Sequence, residues 1–145
     1  MNAHANMTEQ GASRMRRRRV IKVLICNRYT LFREGIKALL PDGSPIRIVG
    51  EAANAEQALN LLELVHPDVV LLDAAEPDAS GSEATRRIKA LDPHVEVLIV
   101  SLYDDEPLIS NCMDAGAAGW IRKNDQSWRL KQAIHTAGRR SHRAA

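Results

Sequence analysis

DVVLLD, residues 68–73, is a run of four aliphatic residues between two carboxylates. Side chains alternate across a strand, so a run this apolar leaves no face for water. It suits the middle of a parallel sheet covered by helices on both sides. Its last residue, Asp73, then stands at the carboxyl end of a strand, where open α/β sheets bind their ligands. VIKVLIC (20–26) and VEVLIVS (95–101) repeat the pattern, IRIVGEA (46–52) shows some alternation, and AAGWIRK (117–123) reads as a fifth, shorter strand.

Helical spacing fills the gaps. LFREGIKALL (31–40) places Leu31, Ile36, Leu39 and Leu40 near one face, and PDGSP (41–45) stops it. Asn54 is the expected N-cap of AEQALNLLELV (55–65), which His66-Pro67 closes. Ser82 is the expected cap of EATRRIKAL (83–91), closed by Asp92-Pro93. DEPLISNCMDAG (105–116) reads as a helix ending in glycine. Ser127 is the expected cap of WRLKQAIHTAG (128–138), with Gly138 as its stop.

Five strands alternating with five helices predict a three-layer α/β sandwich. Right-handed crossovers favour the flavodoxin-like (βα)5 arrangement, a five-stranded parallel sheet of order 2-1-3-4-5. Strands 1 and 3 are then neighbours beside the switch point. The carboxyl ends of the strands deliver Asn27 and Arg28, then Asp73, Ser101 and Lys123, which form the candidate site.

At 145 residues the chain is long enough to bury a core without disulfides or metal. Aromatics make up only 3%, so that core must be built from Leu, Ile, Val and Ala. No apolar run approaches the ~20 residues that span a bilayer, and no signal-like apolar stretch follows the start, so a cytoplasmic protein with no membrane partner is expected. Cys26 and Cys112 lack CxxC or metal spacing and read as reduced thiols packed as small hydrophobes. His4, His66, His94, His135 and His142 are scattered and read as surface or helix-end residues. The net charge of +2 is uneven: residues 1–20 and 139–145 carry eight arginines against Glu9 alone, which is +7 and leaves −5 for residues 21–138. Residues 1–19 are read as a disordered basic tail, 20–138 as the folded domain, and 139–145 as a basic C-terminal tail. The RMRRRR run fits a solvated tail at least as well as a phosphate-binding one.

The chain resembles the receiver domain of a bacterial two-component response regulator, in the NarL/FixJ-like branch with LuxR-type output. The residues that carry the likeness are LFREGIKALL, IVGEAANAEQAL (48–59), PDVVLLD (67–73), SGSEATRRIKALDP (80–93), LIVSLYDDE (98–106) and AGAAGWIRK (115–123). The resemblance implies that Asp73 holds the position of the phosphoryl acceptor, served by a histidine kinase. It implies that Ser101 contacts the phosphoryl group, that Lys123 pairs with that group or with the bare carboxylate, that Ser101 and Trp120 form the switch pair, and that the Ala75 backbone carbonyl helps hold magnesium. These roles make physical sense. A carboxylate attacks phosphorus only when the incoming charge is neutralised and aligned.

One part of the pattern is absent. Relatives end strand 1 in two adjacent acids that hold magnesium; here Asn27 and Arg28 stand in those places. Arginine offers no oxygen and repels a dication, at about 4 kcal/mol per pair of unit charges ~4 Å apart. Glu76 adds a negative charge after Asp73. The expectation is an atypical receiver with a degenerate acidic pocket, Arg28 paired with Asp73, and no cofactor. Magnesium belongs to the alternative, phosphoryl-accepting reading, with Asp73, Asn27 and the Ala75 backbone as its only weak ligand set. The retained Asp73–Ser101–Lys123 set supports that alternative, although such a set can also persist as structure. The expected partners are a histidine kinase or another regulator, and a second copy through the surface of helix 4, strand 5 and helix 5 or through helices 1 and 5. Nucleic acid is expected only through an output domain outside this chain. The domain is not expected to be an enzyme beyond self-phosphorylation chemistry.

Overall fold

In the computed structural model, which describes residues 20–41, 43–75, 80–101 and 106–141, ten elements alternate along the chain. The strands are β1 (Ile21–Cys26), β2 (Ile46–Ala52), β3 (Val69–Asp73), β4 (Glu96–Ser101) and β5 (Gly119–Arg122). The helices are α1 (Thr30–Ala38), α2 (Ala55–Val65), α3 (Gly81–Leu91), α4 (Glu106–Asp114) and α5 (Ser127–Arg140). The five strands form one parallel sheet in the order β2-β1-β3-β4-β5, the flavodoxin-like order expected. The basic segment 1–19, Glu76 and residues 142–145 lie outside the described residues.

β3 is buried at every position because it sits at the centre, between β1 and β4. Its alternating side chains feed two separate cores. Val70 and Leu72 pack with Leu24, Ile99, Leu62, Ile88 and Cys112 under α2, α3 and α4. Val69 and Leu71 pack with Ile25, Val100, Ile36 and Ile134 under α1 and α5. Full burial of each such aliphatic side chain contributes roughly 1.5–3 kcal/mol. Neither Cys26 nor Cys112 forms a disulfide, and both are buried in the first core.

Capping follows local chemistry where a side chain reaches the right N–H. Asn54 caps α2 by accepting from the Gln57 N–H at 2.9 Å, as expected. α3 begins two residues earlier than its helical spacing suggested. Its cap is Ser80, which accepts from the Glu83 N–H at 3.1 Å; Ser82 lies inside the first turn and bonds the Ser80 hydroxyl. α5 also departs from expectation. Gln126 holds the N-cap position, Ser127 is already helical, and the helix runs through Gly138 to Arg140. Gly138 is a contact glycine: a Cβ there would lie 2.8–2.9 Å from Ile21 of β1. Arg139 and Arg140, read from the sequence as the start of the basic tail, are the last two residues of α5.

Candidate functional site

β1, β3 and β4 end side by side and bring Asn27, Asp73 and Ser101 to one rim of the sheet. β3 pairs Asp73 with Val100, one residue short of Ser101. The Lys123 N–H donates to the Ser101 carbonyl at 2.7 Å, so the lysine leaves β5 at the same rim. Asp73 is 6% exposed, Ser101 is buried, and Lys123 sets its ammonium 2.7 Å from Asp73 Oδ2. The Lys123 Nζ also lies 5.3 Å from the centre of the Phe32 ring, which walls the pair on the α1 side. Asp73 and Lys123 are thus in contact, and buried Ser101 lies on the same rim.

The β1 side of the pocket is arranged differently from the sequence expectation. Asn27 is buried at the end of β1, and its Nδ2 donates to Asp73 Oδ2 at 3.0 Å. Its Oδ1 accepts from the Tyr29 N–H at 2.8 Å. A backbone N–H can only donate, so the amide oxygen is fixed on the Tyr29 side and the NH2 on the Asp73 side. The Ala75 N–H donates to the other Asp73 oxygen, Oδ1, at 3.0 Å. Arg28 is exposed, donates to the Tyr29 hydroxyl, and lies 4.7 Å over the Tyr29 ring. Asp73 forms its ion pair with Lys123, as the resemblance implies, while Arg28, also expected to pair with Asp73, lies on Tyr29. A guanidinium beside the Lys123 ammonium would be repelled and desolvated; on Tyr29 it keeps water and a ring face. Trp120 is 40% exposed on the edge strand and lines a surface cleft with Glu106, Ile109, Ser110 and Arg122.

Sequence reasoning passed over a supporting set. Arg33 of α1 donates to the Asn27 carbonyl, to Glu51 Oε1 at 3.0 Å and to Thr30 Oγ1 at 3.2 Å. Lys37, one turn on, reaches Glu51 Oε2 at 2.9 Å and Glu34 at 3.0 Å. The Lys37 hydrogen bond holds the Glu51 carboxyl below its usual range, against an opposing push from burial and with help from Arg33. Glu51 and then Glu34 raise Lys37 in turn. A charged residue facing inward from the second turn of α1 was the available signal.

Magnesium, which the resemblance implies, requires a near-octahedral shell of hard oxygens. Among the described residues the pocket offers one carboxylate, both of whose oxygens already accept hydrogen bonds, and an amide that presents NH2. Among the described residues no group of three acidic, histidine or cysteine side chains could hold a metal ion. The described residues in this arrangement do not fit the ion.

The response regulator receiver domain family matches residues 23–135. The chain belongs to that family. It is 37% identical over 115 residues to the response regulator GacA of Pseudomonas aeruginosa, covering 79% of this chain and 54% of that one. It is 34% identical over 114 residues to the transcriptional regulatory protein DegU of Brevibacillus brevis, covering 79% and 48%. A LuxR-family two-component response regulator from Aurantimonas superposes with a TM-score of 0.77 at 28% identity, covering 83% of this chain and 86% of that one. The receiver domain spans about half the length of the curated relatives it matches. No helix among the described residues is long and apolar enough to cross a membrane.

Proposed function

We propose that this receiver domain signals through protein contacts, without magnesium-dependent phosphoryl transfer to Asp73. The observation that carries the reading is the Asn27 amide. It donates to Asp73 from the position where relatives place an acid, and Tyr29 fixes its orientation. Lys123 completes a neutral, internally satisfied pair around the carboxylate. Asp73 then has its charge balanced by its own chain, and Ser101 and Trp120 are left as positions of a switch whose usual input is gone. Partners are a histidine kinase, another regulator or a second copy of this domain. A cytoplasmic setting and transcriptional output through a separate DNA-binding domain are consistent with the regulators it resembles.

The second reading is a phosphoryl-accepting switch. The convergence of Lys123 on Asp73 at 2.7 Å, beside buried Ser101, supports it. There, an Asp73 oxygen bonds to phosphorus as the donor's phosphorus–nitrogen or phosphorus–oxygen bond breaks, and the donor keeps the electron pair. One experiment separates the two. The protein is incubated with magnesium and acetyl phosphate, or with magnesium and beryllofluoride, and followed by intact mass and tryptophan fluorescence. No adduct and no fluorescence change are expected. A stoichiometric, magnesium-dependent adduct on Asp73 overturns the proposal in favour of the second reading.

A further inference from the structure

The amide that meets Asp73 is held from behind. Both backbone groups of Asn27 are tied to the end of β2. Its N–H donates to the Ala52 carbonyl at 2.9 Å, and its carbonyl accepts from Arg33, whose Nε is anchored on Glu51, the residue before Ala52. The Arg33 and Glu51 side chains are only 15% and 31% exposed. Partly buried charges are screened less than surface ones, so this contact holds geometry better than an exposed pair does. Arg33 suits the task because its planar fork can serve a carbonyl, a carboxylate and a hydroxyl at once. Asn27 ends β1 and opens the turn into α1, so its carbonyl is the point at which that turn can be steered.

We propose that Arg33 is the positioning residue of the Asp73 pocket, with Glu51 as its anchor. Arg33 holds the β1–α1 turn at the one setting in which the Asn27 oxygen meets the Tyr29 N–H and its NH2 meets Asp73. Lys37 shares Glu51 with Arg33 and extends the assembly to the outer face of α1, where its second partner, Glu34, is solvated. A contact made on that face has a three-residue route to the carboxylate. The inference rests on reading Asn27 as the built-in partner of Asp73. It does not rest on the absence of phosphoryl transfer.

The test is NMR on the full chain, reading the Asn27 side-chain NH2 signals, their exchange with water, and the Asp73 carboxyl carbon shift. Arg33→Met is expected to speed Asn27 side-chain exchange by roughly tenfold or more and to move the Asp73 signal. Arg33→Lys and Glu51→Gln are expected to give smaller changes in the same direction. Arg87→Met, which removes the Arg87–Glu56 bridge between α2 and α3, should move neither. A merely structural role for Arg33 would lower the urea midpoint and leave the folded-state signals in place. Unchanged Asn27 and Asp73 signals in folded Arg33→Met overturn the inference. If that variant does not fold, unchanged signals in Arg33→Lys and Glu51→Gln overturn it. Phosphorylation of Asp73 would refute the proposed function and leave these readings as they are.

Discussion

Asn27 Nδ2 donates to Asp73 Oδ2 at 3.0 Å, and Lys123 Nζ reaches the same oxygen at 2.7 Å. Two donors therefore converge on one carboxylate oxygen at the place where a receiver of ordinary sequence gathers acids. This arrangement shifts attention from Arg28, the more conspicuous substitution, to Asn27.

Restoring the acids should restore metal binding, with Asn27 carrying most of the change. Asn27→Asp replaces the NH2 that faces Asp73 with an oxygen. Arg28→Asp alters an exposed side chain stacked on Tyr29. Titration with magnesium, followed by tryptophan fluorescence and calorimetry, should show at least ~10-fold tighter binding for Asn27→Asp/Arg28→Asp than for the parent, given about 4 kcal/mol per close charge pair. Asn27→Asp alone should recover more of that gain than Arg28→Asp alone. A double variant no better than the parent would sink the charge argument.

Removing Lys123 should be costly. The Lys123–Asp73 pair is 16% and 7% exposed, so Lys123→Met strands a buried carboxylate with an amide and a backbone N–H as its partners. Breaking a buried pair from one side costs on the order of 3–5 kcal/mol; partial exposure brings the expectation to about 2–4 kcal/mol. Arg87→Met, at a bridge exposed by 43% and 66%, should cost only about 0–1 kcal/mol. Urea unfolding of both variants checks the contrast. Adding Asp73→Asn to Lys123→Met should recover part of the loss.

The Glu51 assembly should give an acid-side pH dependence. Lys37 first, then Arg33, hold the folded Glu51 carboxyl below its usual value. A depressed carboxyl contributes stability that is fully present above the unfolded-state value, about 4.3, and that fades as pH falls through the lower folded value. Wild type and Glu51→Gln should therefore differ near pH 7 and converge at acid pH below the ordinary carboxylate range. Urea midpoints across that span test the sign. A gap that widens as the pH falls would contradict it.

Gly138→Ala should destabilise the fold even though alanine is the better helix former by about 1 kcal/mol. The added Cβ would sit within 2.8–2.9 Å of Ile21 Cδ1, Cγ1 and Cγ2. Overpacking of this kind costs about 1–3 kcal/mol. Thermal unfolding of Gly138→Ala and of Gly138→Ala/Ile21→Val should show a loss in the single variant, partly relieved in the pair by the missing Cδ1.

The sequence by itself determined the layer architecture, the strand order and the residues brought to the rim. Those follow from period and punctuation: a doubly apolar run such as DVVLLD has one stable place in a sheet, and Asn54 can cap locally because its partner is three residues away. It also set Asn27 and Arg28 just after β1, where the family resemblance leads one to expect acids. It misjudged Ser82, Ser127 and Gly138, where the chain had a choice between near neighbours. For the cap of α3, reach to the Glu83 N–H decided for Ser80; for Gly138, contact with β1 made a helix stop into a helix residue. Only the tertiary structure decided which way the Asn27 amide faces, that Arg28 lies on Tyr29 while Lys123 pairs with Asp73, and that Arg33 and Glu51 stand behind Asn27. Those choices join residues from β1, β2, α1, β3 and β5. An amide has two nearly isosteric ends, and the backbone N–H that distinguishes them is positioned by the folded β1–α1 turn.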